Sequence, residues 1–201
     1  ARANNRYTGV FTGTHPNLIA PAPERVMNNL SINDQSAFAD WAALRPFTEL
    51  EYEKTCRGAN QTPIANEYPW GNTTIAASTN GAVINAGLEN EMVTNGNANY
   101  FSGSFNTTVN RPLRTGIYAT PSSTRQSSGG AFYGVMEMAG NVYENCVSVG
   151  SGSTTGGRAF TKTNGDGSLD VNGDANAATW PTAIAAYSQR GGFYLSSSAQ
   201  L

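Results

Sequence analysis

Charge is what this chain has least of. Only 13% of its 201 residues are Asp, Glu, Lys or Arg, about half the usual share for a globular protein. No Lys/Arg cluster occurs and the formal net charge is -2, which disfavours electrostatic capture of nucleic acid or of an anionic membrane. Histidine is reduced to His15, in a polar stretch just before Pro16. One imidazole does not build a multi-histidine metal centre, and before Pro16 it reads as a surface or turn residue, not as part of a Ser/His/Asp set. Cysteine is limited to Cys56 and Cys146, either one disulfide closing a long loop or two buried thiols. No apolar run reaches the length of a membrane span, and no Gly-rich phosphate loop is present. No signal peptide is legible and the first residue is Ala1, so a mature or partial product is expected.

Polarity comes instead from Asn, Ser, Thr and Gly, with 22 glycines. Their side-chain amides and hydroxyls satisfy loop backbone, so an irregular fold is expected. Such surfaces accompany secreted, cell-surface or virion proteins. Residues 1–23 read as an extended arm anchored by Tyr7, Val10 and Phe11, and 24–201 as one domain. A helix is predicted from about Ser31, with Asn33 or Asp34 as cap. Ala37, Phe38, Trp41, Ala42 and Leu44 recur at helical spacing, and Pro46 stops the run. A second helix starts at Thr48 with a Thr48–Glu51 capping box, buries Leu50, Tyr52 and Cys56, and ends at Gly58. From 59 to 130 the chain reads as loop, with Asn-Gly turns at Asn80 and Asn95. Irregular backbone of that length needs pinning by metal ions or side-chain hydrogen bonds. Short strands are expected over 116–119, 142–149 and 191–195, and polar loops over 148–157 and 164–176.

Several blocks stand in order. They are Ile32 to Trp41, then Leu44-Arg-Pro-Phe-Thr-Glu-Leu-Glu-Tyr-Glu-Lys-Thr-Cys-Arg-Gly58, Tyr68-Pro-Trp-Gly-Asn72, Gly134-Val-Met-Glu-Met-Ala-Gly-Asn-Val-Tyr-Glu-Asn-Cys146, and Arg190-Gly-Gly-Phe-Tyr194. Together they resemble the formylglycine-generating-enzyme (sulfatase-modifying factor) family. The resemblance implies an α+β, C-type-lectin-like domain, loop-rich, with two helices and short antiparallel strands. Against the family pattern, this domain is expected to be incomplete at both ends. The formylglycine-generating members hold copper on two cysteines after the glycine pair. Ser196 and Leu201 stand at those distances here, and neither replaces a thiolate toward Cu(I). Iron-dependent relatives need histidine ligands that this chain does not offer. The resemblance therefore implies no catalytic site and no copper or iron.

It does imply calcium at Glu137, Gly140, Val142 and Glu144, with the glutamates binding through side chains and the other two through main-chain oxygen. Calcium takes roughly six to eight oxygens, and this turn supplies several. The alternative is an ordinary turn with two solvated glutamates. Asn141 is expected to bond the turn backbone. Asn164, Asp166 and Asp170 form a second, weaker calcium pattern, for which a plain Asn/Gly/Asp turn is the better reading. Trp41, Trp70, Trp180, Tyr68, Phe132 and Tyr143 either line a carbohydrate or peptide groove or, the better reading, form core. Asn29, Asn60, Asn72 and Asn106 each open a glycosylation sequon.

The function expected is non-catalytic, extracellular recognition or assembly, as in an adhesin, a surface-appendage subunit or a receptor-binding protein. A calcium-stabilised scaffold would display loops 73–110 and 150–176 to a protein or glycan ligand or to neighbouring subunits. No nucleic-acid partner and no membrane insertion are expected. The rivals are a structural subunit of a filament or ring, and a copper-dependent oxidase truncated before its cysteines.

Overall fold

The computed structural model describes residues 24–79, 82–103, 111–150 and 155–201. The expectations for the 1–23 arm, His15, the Asn80 turn and the Asn106 sequon lie outside them. The chain resolves into two compact units. One comprises residues up to Asn29, Cys56–Tyr143 and Gly191–Leu201; the other comprises Leu30–Thr55 and Glu144–Arg190. Regular structure is sparse, as an Asn/Ser/Thr/Gly-rich chain should show. The elements are α1 (Ile32–Trp41), α2 (Glu49–Arg57), β1 (Val83–Ile84), β2 (Met92–Val93), β3 (Glu144–Val147), α3 (Thr155–Arg158) and β4 (Tyr187–Arg190). Helices with short antiparallel strands make the fold α+β.

Helix α1 begins where expected, but Ser31 is its cap. The Ser31 hydroxyl accepts the Asp34 N–H, and the Asp34 carboxylate accepts the Ser31 N–H. Asp34 thus closes the box from inside the first turn instead of capping. The buried face also differs. Asp34, Ser36, Ala37 and Asp40 face inward, while Phe38, Trp41 and Leu44 are more than half exposed. Helix α2 carries the predicted capping box: the Thr48 N–H donates to Glu51 Oε2 at 2.9 Å, and the Glu51 N–H to Thr48 Oγ1 at 3.3 Å. Tyr52 and Cys56 are buried as expected, whereas Leu50 is exposed. Gly58 ends the helix at φ 80°, the left-handed cap that glycine adopts without strain.

In the second unit β3 pairs antiparallel with β4, Glu144 facing Arg190 and Val147 facing Tyr187. The strand expected at 142–149 is therefore real but shorter. The one expected at 191–195 lies earlier, because the chain leaves the ladder at Gly191 and Gly192, both at positive φ. Val147, Phe160 and Trp180 form this unit's core, with Ala39, Ala175, Ala177 and Tyr187 packed on it.

In the first unit, β1 pairs with β2 inside a stretch that reads as loop, and 116–119 is turn, not strand. Two apolar clusters hold it. Leu113, Ile117 and Tyr118 gather Val83 and Val93. Trp70, Ala98 and Ala139 gather Tyr68, Ile75, Tyr100 and Leu201. Cys56 and Cys146 are buried thiols rather than a disulfide.

Candidate functional site

The segment around Glu137 belongs to the first unit and is held from several sides. Glu137 has φ 62°, uncommon for a residue with a side chain. Its carboxylate accepts the Gly116 N–H at 3.1 Å. Burial pushes its pKa up to about 7, against hydrogen bonds from the Gly116 and Ile117 amides and the charge of Arg114. Gly140, at φ 77°, lies against the main chain of Asn99, and a Cβ there would overlap the Asn99 carbonyl oxygen. Its N–H donates to the Gly191 carbonyl at 2.7 Å.

Asn141 is fully buried and does not serve its own turn. Its amide bonds the backbone of Leu113 in both directions: Oδ1 accepts the Leu113 N–H at 2.8 Å, and Nδ2 donates to the Leu113 carbonyl at 3.2 Å. The Asn99 amide donates to Asn141 Oδ1 and to the Arg111 carbonyl. Here side-chain amides replace strand ladders as the means of satisfying buried backbone.

Glu137, Gly140 and Val142 lie in the first unit, and Glu144 in the second. Glu137 is half-buried, and it is desolvation, against its own hydrogen bonds, that makes the carboxylate hard to ionise. Among the described residues, no three His, Cys, Asp or Glu side chains converge on one point. A set drawing two of its ligands from carbonyls does not require such a cluster.

In the second unit the loop 164–176 is organised by a residue that sequence reasoning passed over. Asp40, on α1, is fully buried. Its carboxylate accepts the N–H groups of Asp166 at 3.1 Å, Asn176 at 2.8 Å and Ala177 at 3.1 Å. Gly165 packs so closely on Asp40 that a Cβ would overlap it. Asp166 and Asp170 turn their carboxylates onto the loop itself. Asp166 Oδ1 accepts the Ser168 N–H and hydroxyl, and Asp170 Oδ1 accepts the N–H groups of Asn172 and Asp174. Asn164 is exposed. These are the hydrogen bonds of Asx turns.

The same unit hides a second polar hub. Glu49 Oε1 accepts Ser188 Oγ and Arg190 Nη2, each at 2.6 Å, and Oε2 accepts Ser148 Oγ and the Val149 N–H. Burial opposes ionisation, but these bonds and the Arg190 charge hold its pKa down at about 2.

The side chains of Ser196 and Leu201 are structural. Ser196 is buried, and its Oγ accepts the Phe193 N–H at 3.0 Å within its own turn. Leu201 packs on the Trp70 cluster and against Gly192. Of the six aromatics, Trp70 and Trp180 are buried, Tyr68 and Tyr143 half-buried, and Trp41 and Phe132 exposed. The core reading fails for those last two.

A model of the family described as sulfatase-modifying factor enzyme 1-like domain matches residues 12–200. The chain belongs to this family. No match was found among curated proteins or among solved structures. Within the sulfatase-modifying-factor-like domain, the Tyr68–Asn72 block now has a structural reason. Tyr68 N–H donates to the Asn72 carbonyl at 2.9 Å, Trp70 Nε1 to Thr74 O at 2.8 Å, and Tyr68 stacks on Trp70 at 5.0 Å. No helix of the domain among the described residues is long and apolar enough to cross a membrane.

Proposed function

We propose that this sulfatase-modifying-factor-like domain is a non-catalytic recognition or assembly module with the C-type-lectin-like fold, acting outside the cytoplasm. The observation carrying the reading is that Ser196 holds a turn and Leu201 packs on the Trp70 cluster, at the places where copper thiolates would be needed. What remains is a scaffold whose loops are pinned by Asp40, Glu49, Asn99 and Asn141, with the calcium proposed at Glu137, Gly140 and Val142 as a further clamp within the first unit. Loops 73–110 and 150–176 are the proposed display surfaces, presented to a protein or glycan. Rigid scaffolds under variable loops are how folds acquire specificity without chemistry.

Two measurements test this. Purified protein is assayed for stoichiometric copper and for oxygen uptake with a cysteine-containing peptide and thiol reductant. Neither is expected, and both together would establish the oxidase rival. Glycan arrays with and without calcium, alongside light scattering, separate recognition from assembly. A ring or filament that binds no array ligand would favour the structural rival.

A further inference from the structure

The second unit carries an open cleft of about 230 Å³, lined by Asn33, Ser36, Asp174, Ala175, Ala177, Trp180, Pro181 and Thr182. We propose that this cleft binds a single neutral sugar ring. The inference rests on the recognition reading and deepens it, since the 150–176 loop supplies part of the wall.

Size is the first argument. Clefts for drug-sized ligands run from roughly 300 to 1,000 Å³, so this one suits one ring and little more. Charge is the second. No Lys or Arg lines it, so a phosphate, sulfate or carboxylate would enter beside Asp174 with nothing to pair it. The third is the make-up of the lining. Ala175, Ala177, Trp180 and Pro181 give apolar surface, against which the C–H face of a pyranose packs, and Asn33, Ser36 and Thr182 give amide and hydroxyl groups.

Those polar groups have capacity left. The Asn33 amide and the Thr182 hydroxyl are exposed and bond no described residue. The Tyr187 phenol spends its proton on the Pro181 carbonyl at 3.1 Å, so Ser36 Oγ, 3.3 Å from it, is the donor of that pair. Its lone pairs then stay open to a ligand hydroxyl.

The cleft is also preformed. Asp40 holds the Asn176 and Ala177 amides. The Trp180 indole is fixed by Thr163 O at 2.8 Å and by an edge-on contact with Phe160. Little ordering is left to oppose binding.

The test uses the methyl glycosides of glucose, galactose, mannose and N-acetylglucosamine, titrated into the full chain. The readout is the Trp180 indole N–H and the Ala175 and Ala177 amides in nitrogen–proton correlation spectra. At least one glycoside is expected to shift all three saturably, with a dissociation constant on the order of 1 mM. Asn33→Ala and Thr182→Ala, both at exposed positions, should each weaken it about tenfold while leaving the remaining spectrum unchanged. Silence of all four glycosides, shifts indifferent to both substitutions, or a larger response to ethylammonium or inorganic phosphate overturns the proposal. Glycosides silent here with an array or protein ligand bound elsewhere would sink the cleft and leave the recognition reading standing. Copper-dependent oxygen uptake would sink that reading whatever the cleft binds.

Discussion

Asp40 accepts the Asn176 N–H at 2.8 Å, although 136 residues separate them. With the bonds from Ala177 and Asp166, one buried carboxylate fixes both ends of a loop that has almost no regular structure. Asp40→Ala would leave those donors buried and unpaired, at about 1–3 kcal/mol for each one that water cannot reach. We expect a loss of about 2–4 kcal/mol in urea denaturation, and faster hydrogen exchange at Asp166, Asn176 and Ala177. Asp40→Asn keeps a single carbonyl oxygen and should fall between the two. An Asp40→Ala protein as stable as the parent would show that the loop stands without it.

Glu49 and Glu51 set an acid limb for the second unit. Hydrogen bonding to Arg45, against burial and helped by Thr48, holds Glu51 at a pKa of about 2, and Glu49 sits at about 2. Both ordinarily titrate near 4.5. Depressed carboxylates contribute stability that is fully present above the unfolded value and lost as pH falls through the folded one. The window is thus pH 4.5 to 2. After discounting for solvent screening at these part-exposed groups, each contributes about 1–2 kcal/mol. Glu49→Gln should flatten part of that limb in melting temperatures taken from pH 5 to 2. An unaltered slope would mean that the Ser188, Arg190 and Ser148 bonds do not outlast solvation.

The helices and the family blocks were legible because both rest on local signals: a capping box at Thr48–Glu51, a glycine stop at Gly58, an ordered set of short motifs. The buried face of α1 was not. Periodicity assigns Phe38, Trp41 and Leu44 inward, yet Asp34, Ser36 and Asp40 take that face because loop amides far along the chain need acceptors. That demand is invisible until the loop is placed. The same reason hid Glu49 and sent Asn141 to Leu113 instead of its own turn. Strands over 116–119 and 191–195 failed because β propensity says nothing of whether a partner strand exists. That Ser196 holds a turn and that Leu201 packs on the Trp70 cluster needed the structure.

Glycine substitutions should separate backbone strain from crowding. Gly134 and Gly140 have nearly the same φ, 79° and 77°, but a Cβ on Gly134 meets nothing within 4 Å, whereas one on Gly140 overlaps the Asn99 carbonyl. Gly134→Ala should cost about 1 kcal/mol, the left-handed penalty alone. Gly140→Ala should cost roughly 3 kcal/mol or more, because the Asn99 backbone must also move. Denaturant midpoints of the two variants check this, and equal costs would refute the close approach.

Glu137 gives the first unit the opposite pH dependence. Its pKa is raised from 4.5 to about 7 by burial, so the folded state binds the proton more tightly than the unfolded chain. Its contribution is fully present below pH 4.5 and lost as pH rises through 7, amounting to about 3 kcal/mol in calcium-free buffer. Glu137→Gln cannot ionise and should remove this slope. Its urea midpoint should exceed that of the parent at pH 7.5 and not at pH 4.5. If calcium binds at Glu137, the parent gains stability from millimolar calcium at pH 7.5, the gain falls toward pH 5 as the proton competes, and Glu137→Gln shows none of it. A calcium response that survives Glu137→Gln would move the ion to other oxygens. No response in either protein would leave the amide network of Asn99 and Asn141 as what holds this turn.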